Sequence, residues 1–252
     1  MISVVILTKN EEKNIVDCLE SISWVDEIIV IDDYSEDRTL EVIKNLNLKE
    51  KIKVIKRRLN YDFSNQRNFG LSKTKFDWVF FLDADERVSR SLREEINSII
   101  INKNKDYFGF YIPRKDVLWG KLLKHGETGD IKLLRLVKKG QGKWEGKVHE
   151  TYMSKEKIGS LENYILHFPH QTTDEFLKEI NFYTSIRAKE LYDLGLKTNL
   201  FQVIFYPKTK FFVNFILKLG FLDGLEGFIF AIFMSFHSFL TRAKLLLLWQ
   251  KS

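Results

Sequence analysis

Along its N-terminal half the chain alternates short apolar runs with polar stretches, the rhythm of strands separated by helices. Ser3-Val4-Val5-Ile6-Leu7 is nearly continuous, as expected of a strand buried on both faces. The polar segment Thr8-Lys9-Asn10-Glu11-Glu12 follows, and then Ile15, Cys18, Leu19 and Ile22 recur at helical spacing. A second strand is predicted over 27–31, ending in Asp32-Asp33-Tyr34-Ser35. Ser35 or Asp37 can cap the next helix, whose inward stripe is Leu40, Ile43 and Leu46. Residues 52–55 read as a third strand, and a short helix runs from Ser64 toward Leu71. Trp78-Val79-Phe80-Phe81-Leu82 reads as a fourth strand, and a helix from about Ser91 turns Leu92, Ile96, Ile99 and Ile100 inward. Crossovers this short demand a parallel sheet with helices on both faces.

Beyond Asn104 the rhythm changes. Residues 107–112 and 131–137 predict strands separated by glycine-containing loops. Thr172-x-x-Glu175 is a capping box that opens a long amphipathic helix carrying Phe176, Ile180, Tyr183, Leu191 and Leu194, with Gly195 at its end. Two apolar stretches follow, 211–222 and 225–240, broken by Asp223-Gly224. The uncharged part of the second spans only 227–241, short of the roughly 20 residues that cross a bilayer. Lys208, Lys210, Lys218, Arg242 and Lys244 flank or punctuate these stretches, the pattern of helices lying on an anionic membrane surface. A buried helical subdomain, or contact with a second copy of the chain as a homo-oligomer, would use the same residues. The expected division is an α/β catalytic domain over 1–170 and a helical region over 171–252.

Composition narrows the partners. A net charge of +6 with 40 Lys and Arg suits anionic ones. No nucleic-acid-binding motif accompanies it, so no nucleic acid is expected. The single cysteine, Cys18, excludes an internal disulfide, fits a reducing compartment and sits in an apolar helical stripe as a core thiol. The first eight residues read as a strand without a basic, then apolar, leader pattern, so no signal peptide is expected.

The chemistry concentrates where the fourth strand ends, at Asp83-Ala84-Asp85-Glu86. Two carboxylates two residues apart at the end of a buried strand suit a hard cation such as Mg²⁺ or Mn²⁺ bridging to substrate phosphates. The first glycine is Gly70, so neither a dinucleotide-binding turn nor a P-loop can follow the first strand. Phosphates would therefore be held by metal and by Lys or Arg side chains. Four polar clusters, beginning at Thr8, Asp32, Asn65 and Asp83, all fall at carboxyl ends of strands, on one edge of the sheet, where open α/β sheets bind ligands.

In their order, these clusters closely resemble those of family 2 glycosyltransferases with the GT-A fold, a mostly parallel Rossmann-like sheet, here with a C-terminal helical extension. Trp144-Glu145-Gly146-Lys147-Val148-His149-Glu150 and Gly220-Phe221-Leu222-Asp223-Gly224 look most like the bacterial glucosyltransferases of lipopolysaccharide inner core. The resemblance implies an inverting, metal-dependent enzyme using Mn²⁺ or Mg²⁺. It would move one hexose, such as glucose, from a UDP-sugar to a lipid-linked or core oligosaccharide acceptor on the inner face of the cytoplasmic membrane. By the same resemblance Thr8, Asn10 and Glu11 line the nucleotide pocket, Asp33 beside Asp32 receives the base, and Arg67 reaches the diphosphate. Asp83 and Ala84 meet the ribose, and Asp85 ligates the metal. His167 and His170, flanking Pro169, are candidates for a further metal or phosphate contact, His167 being taken as the metal ligand; satisfied structural histidines are the other reading. Trp144 offers an aromatic face to the acceptor, with His149 beside it. Glu150 is the favoured general base, Asp130 follows, and Glu127 and His149 are further candidates. Glu86 reads as a solvated charge at a helix entry. The Gln-x-x-Arg-Trp signature of processive enzymes is missing, which favours transfer of a single sugar. A nucleotidyltransferase and a non-catalytic sugar-nucleotide-binding protein are the readings from other classes.

Overall fold

The computed structural model describes residues 1–48, 50–101, 106–146 and 150–250. They form two compact units: 1–114 with 132–167, and 115–131 with 168–252.

In the first unit the expected alternation is present. β1 (Ile2–Thr8), β2 (Glu27–Asp32), β3 (Ile52–Lys56) and β4 (Trp78–Asp83) make a parallel sheet in the order β3-β2-β1-β4. Between them lie α1 (Ile15–Ser21), α2 (Thr39–Lys44) and α3 (Phe63–Lys73). Next come β5 (Glu86–Val88), α4 (Arg90–Ile101) and β6 (Gly109–Leu118), whose last residues enter the second unit. β7 (Lys121–Leu122) belongs to that second unit, and β8 (Lys132–Lys138) returns to the first. β9 (Lys143–Glu145) pairs with β10 (Thr151–Met153) as a hairpin beside the main sheet. β8 runs antiparallel beside β4, and β6 antiparallel beside β8. β11 (Ile158–Ser160) joins β6, and β12 (Ile165–His167) pairs with β5.

The period-two alternation of β1, β2 and β4 sorts their side chains onto two cores. Val4, Ile6, Ile28, Val30, Phe80 and Leu82 meet α1 and α4 through Ile15, Cys18, Leu19, Ile22, Leu92 and Ile96. Val5, Ile29, Ile31, Val79 and Phe81 meet Leu71 of α3 together with Trp144 and Tyr152. Each such side chain contributes on the order of 1.5–3 kcal/mol relative to exposure. Gly70 is required by this packing, because a Cβ there would lie 2.4 Å from Val5 Cγ1. Cys18 is the expected core thiol, and burial pushes its pKa well up. Capping differs in detail: Asp62 caps α3, and at α2 Asp37 accepts from the Thr39 N–H while Ser35 turns back to Asp32.

In the second unit Trp119 and Gly120, both with positive φ, form the two-residue turn between the end of β6 and β7. The capping box at Thr172 and Glu175 opens α5 (Thr173–Asp193). α6 (Leu200–Phe212) continues through a π turn, Val213–Leu217, and a 3-10 turn, Gly220–Asp223, into α7 (Gly224–Gln250). Leu118, Leu123, Phe176, Ile180 and Phe230 form the core. Nothing in the hydrophobic pattern marks 115–131 as part of this unit.

Candidate functional site

Strand register builds the site in the first unit. Thr8 lies opposite Asp32, and Leu7 opposite Asp83, so three of the four polar clusters share the carboxyl edge of adjacent strands. Asp32 is fully buried and accepts from Ser35 Oγ at 2.5 Å, closing the turn that ends β2. Its carboxylate is thus turned into the protein, beside the Asp33 expected to receive the base. Asp33 is more open: it accepts from Lys9 Nζ at 3.0 Å and from the Leu59 N–H at 2.9 Å. Asn10, with φ of 56°, stitches the two loops together, donating its N–H to Ser35 Oγ and accepting from the Glu36 N–H. Glu11 donates its N–H to Thr39 Oγ1 and accepts from Asn14 Nδ2. Thr8 Oγ1 is buried with no hydrogen-bond partner among the described residues.

Asp83 is the centre of a chain of charges. One oxygen accepts from Arg67 Nη2 at 3.0 Å and the other from Arg135 Nη2 at 2.5 Å. Arg135 also donates to Glu86 Oε1 at 2.9 Å, while the other Glu86 oxygen accepts the Asp83 N–H. Arg67 Nε reaches Glu150 Oε1 at 2.7 Å. The order is Glu86, Arg135, Asp83, Arg67, Glu150, alternating in sign. Burial would raise the Asp83 pKa, but Arg135 and then Arg67 more than offset this and hold it well below the carboxylate range. Glu86 is shifted upward, by burial first and by neighbouring Asp83, with Arg135 pulling the other way. Burial works against the charge on Arg135, yet Asp83 and Glu86 hold it firmly protonated. Arg67 Nη1 and Arg135 Nε are buried without a partner among the described residues.

Two corrections follow. Glu86 is 0% exposed and is not a solvated helix-entry charge. Arg135, a lone cation inside the apolar strand Leu133-Leu134-Arg135-Leu136-Val137, is a residue sequence reasoning missed. A charge interrupting a buried strand is the signal that marks it.

Pairing of β5 with β12 sets His167 opposite Glu86 and beside Asp85, with His167 Nε2 3.2 Å from Asp85 Oδ2. The two expected metal ligands are thus brought together. Among the described residues no group of three or more His, Cys, Asp or Glu is arranged to hold a metal. His170 belongs to the second unit, where its ring stacks on Phe176 at 4.2 Å and its Nδ1 lies 3.5 Å from Glu179 Oε2.

Trp144 departs from expectation. Its ring is 6% exposed, edge-on to Phe81 at 5.0 Å, and lies beneath the Arg67 guanidinium at 5.2 Å. The Asn68 side chain bonds both its N–H and its carbonyl. It therefore offers no open face to a sugar, and instead anchors β9, from which the chain leads toward Glu150. His149 lies outside the described residues. Of the other base candidates, Asp130 is exposed in the second unit, and Glu127 is paired there with Lys210 at 2.5 Å.

The family model for Glycosyl transferase family 2 matches residues 3–168. An uncharacterized glycosyltransferase of Rickettsia typhi is 30% identical over 256 residues, covering 97% of this chain and 86% of that protein. The lipopolysaccharide core biosynthesis glycosyltransferase LpsC of Rhizobium meliloti is 27% identical over 252 residues, covering 97% and 91%. Among solved structures, S. aureus TarS 1-349 aligns over 99% of this chain and 91% of its own at a TM-score of 0.50 and 14% identity, a likeness of fold.

Proposed function

Because this chain belongs to glycosyl transferase family 2 and has the GT-A fold, we propose that it transfers a single hexose, with inversion, from a UDP-sugar to a saccharide acceptor. The acceptor class we propose is lipopolysaccharide core or a related envelope glycan, in line with the lipopolysaccharide core biosynthesis of LpsC. The observation that carries the reading is Arg67, which joins Asp83 of the strand-end acid pair to Glu150.

The roles follow from the chemistry of each group. Asp33, an acceptor-only carboxylate at the open edge, suits the imide N–H of uracil, with Thr8 and Glu11 beside it. Arg67 is a fork suited to a diphosphate, and its buried Nη1 has no partner among the described residues. Asp83, held by two guanidiniums, positions Arg67, and with Ala84 it borders the ribose. A carboxylate and an imidazole 3.2 Å apart fit a divalent cation that takes its other ligands from phosphate and water. Asp85 and His167 would hold Mn²⁺ or Mg²⁺, which supplies charge neutralisation for the leaving diphosphate. Glu150 takes the proton of the acceptor hydroxyl as that oxygen attacks the anomeric carbon on the face opposite the diphosphate.

The enzyme would act in the cytoplasm, peripheral on the inner membrane face, where a lipid-borne acceptor meets a soluble donor. The Lys-bearing apolar surface of the second unit supports this location.

The test is to incubate the protein with a panel of UDP-sugars, with Mn²⁺, Mg²⁺ or EDTA, and with deacylated core oligosaccharide. Metal-dependent UDP release that rises with acceptor is the expected result. Pyrophosphate release would mark nucleotidyl transfer, and no turnover with any donor would leave a binding protein; either overturns the reading.

A further inference from the structure

We propose that the bend between α6 and α7, residues 217–225, is a preformed wedge that inserts into an anionic lipid monolayer. It deepens the membrane reading above and names the element that enters the lipid.

The bend inverts the usual arrangement of a surface loop. Leu217, Leu222 and Leu225 are 64%, 57% and 67% exposed, with Leu219 and Phe221 nearly half exposed beside them. Its polar groups are turned inward. Asp223 is 3% exposed, accepts the N–H groups of Lys124 and His125 on one oxygen, and meets His125 Nδ1 at 2.9 Å on the other. Lys121 Nζ bonds both the Asp223 carbonyl and Glu226. The Gly126 N–H donates to the Lys218 carbonyl, and Leu219 is held at φ 57°. All of these belong to the second unit. A loop adapted to water would expose such groups and bury the leucines; contiguous exposed apolar residues mark an interaction surface.

Charge identifies the occupant. Between 194 and 252 the chain has seven Lys and Arg and only two acids, Asp223 and Glu226. Both acids are consumed by the contacts just described. At the bend itself Lys218 is exposed, Lys124 is exposed beside Asp223, and both nearby acids are already paired, the complement of an anionic lipid headgroup. α7 is long and apolar enough to cross a bilayer on its own. It is, however, tied sideways: Lys244 bonds Asn181, Thr184 and Ser185 of α5, and Arg242 lies over the Tyr206 ring of α6 at 3.8 Å. A helix fixed along its length to two neighbours presents its end to the lipid.

The buried Cys18 makes site-specific labelling clean. An environment-sensitive fluorophore would be attached to Leu222→Cys and, as control, to Met153→Cys, an exposed site of the first unit. With phosphatidylglycerol vesicles the label at 222 should shift to the blue and brighten several-fold. It should respond weakly to phosphatidylcholine, and much less at about 1 M salt, where screening falls to ~3 Å. The label at 153 should not change. No response at 222 while the protein co-sediments with vesicles would overturn the wedge. So would a blue shift that grows with protein concentration without lipid, which would identify a second copy as the occupant. A paired Leu217→Ser, Leu222→Ser variant should lose vesicle binding and keep UDP release with deacylated acceptor. Insertion without any transferase activity would leave the wedge standing and sink the enzymatic reading alone.

Discussion

Arg67 Nε donates to Glu150 Oε1 at 2.7 Å across 83 positions of sequence, and the same guanidinium holds Asp83 at 3.0 Å. One fork thus fixes the distance between the strand-end acids and the proposed base. A lysine has the charge but not the two-armed geometry. Arg67→Lys should lower kcat/KM for UDP release on the order of 10²-fold, the scale of a roughly 1 Å misplacement at a reacting centre. Steady-state kinetics with and without acceptor is the check, and near wild-type turnover would remove Arg67 from the machinery.

Asp85→Asn should abolish metal-stimulated transfer while leaving the thermal unfolding transition close to wild type, because Asp85 is partly exposed and its side chain meets His167 rather than the buried charge chain. His167→Gln should retain activity but require more metal. Titrating Mn²⁺ into each variant and reading UDP release separates the two. Full activity of wild type in excess EDTA would refute both expectations.

The parts legible in the sequence were those governed by local rules. Buried runs such as Val4-Val5-Ile6 and Val79-Phe80-Phe81 can only be inner strands, and Thr172 with Glu175 is a reciprocal cap wherever it occurs. The shared edge of Thr8, Asp32 and Asp83 follows once those strands are parallel. What stayed hidden depends on antiparallel partners distant in sequence. Arg135 meets Asp83 and Glu86 because β8 lies against β4, and a residue count does not reveal that pairing. Glu86 sits in a strand of three residues, too short to carry a period, so its burial against Arg135 and Arg114 is invisible. Trp144 suggests a sugar platform in sequence because a three-residue hairpin strand can bury either face, and only the pairing of β9 with β10 beside Phe81 decides which.

Tyr152 supplies a pH prediction. Burial beside Trp144 pushes its hydroxyl from the usual 10 up to about 12. The fold therefore favours the neutral phenol. That contribution is complete below pH 10 and is lost as pH rises through 12. Wild type should lose on the order of 1 kcal/mol more than Tyr152→Phe over this interval, after allowance for solvent screening. Urea unfolding at pH 9 to 12 measures it, and parallel curves for the two proteins would exclude the linkage.

Glu150 carries the last prediction. One of its oxygens is engaged by Arg67, and the other accepts no hydrogen bond among the described residues. An acceptor hydroxyl could therefore approach a carboxylate already oriented by its partner. A base contributes on the order of 10²–10⁴ in rate. Glu150→Gln should cut kcat by that factor with little change in donor KM, because the Asp33 and Asp85 contacts are untouched. The glutamine keeps size and still accepts from Arg67 through its carbonyl oxygen, so a purely structural role would leave turnover near wild type. Asp130, exposed in the second unit, is the rival. If Asp130→Asn produces the loss and Glu150→Gln does not, the base belongs to Asp130, and Glu150 serves only to hold Arg67.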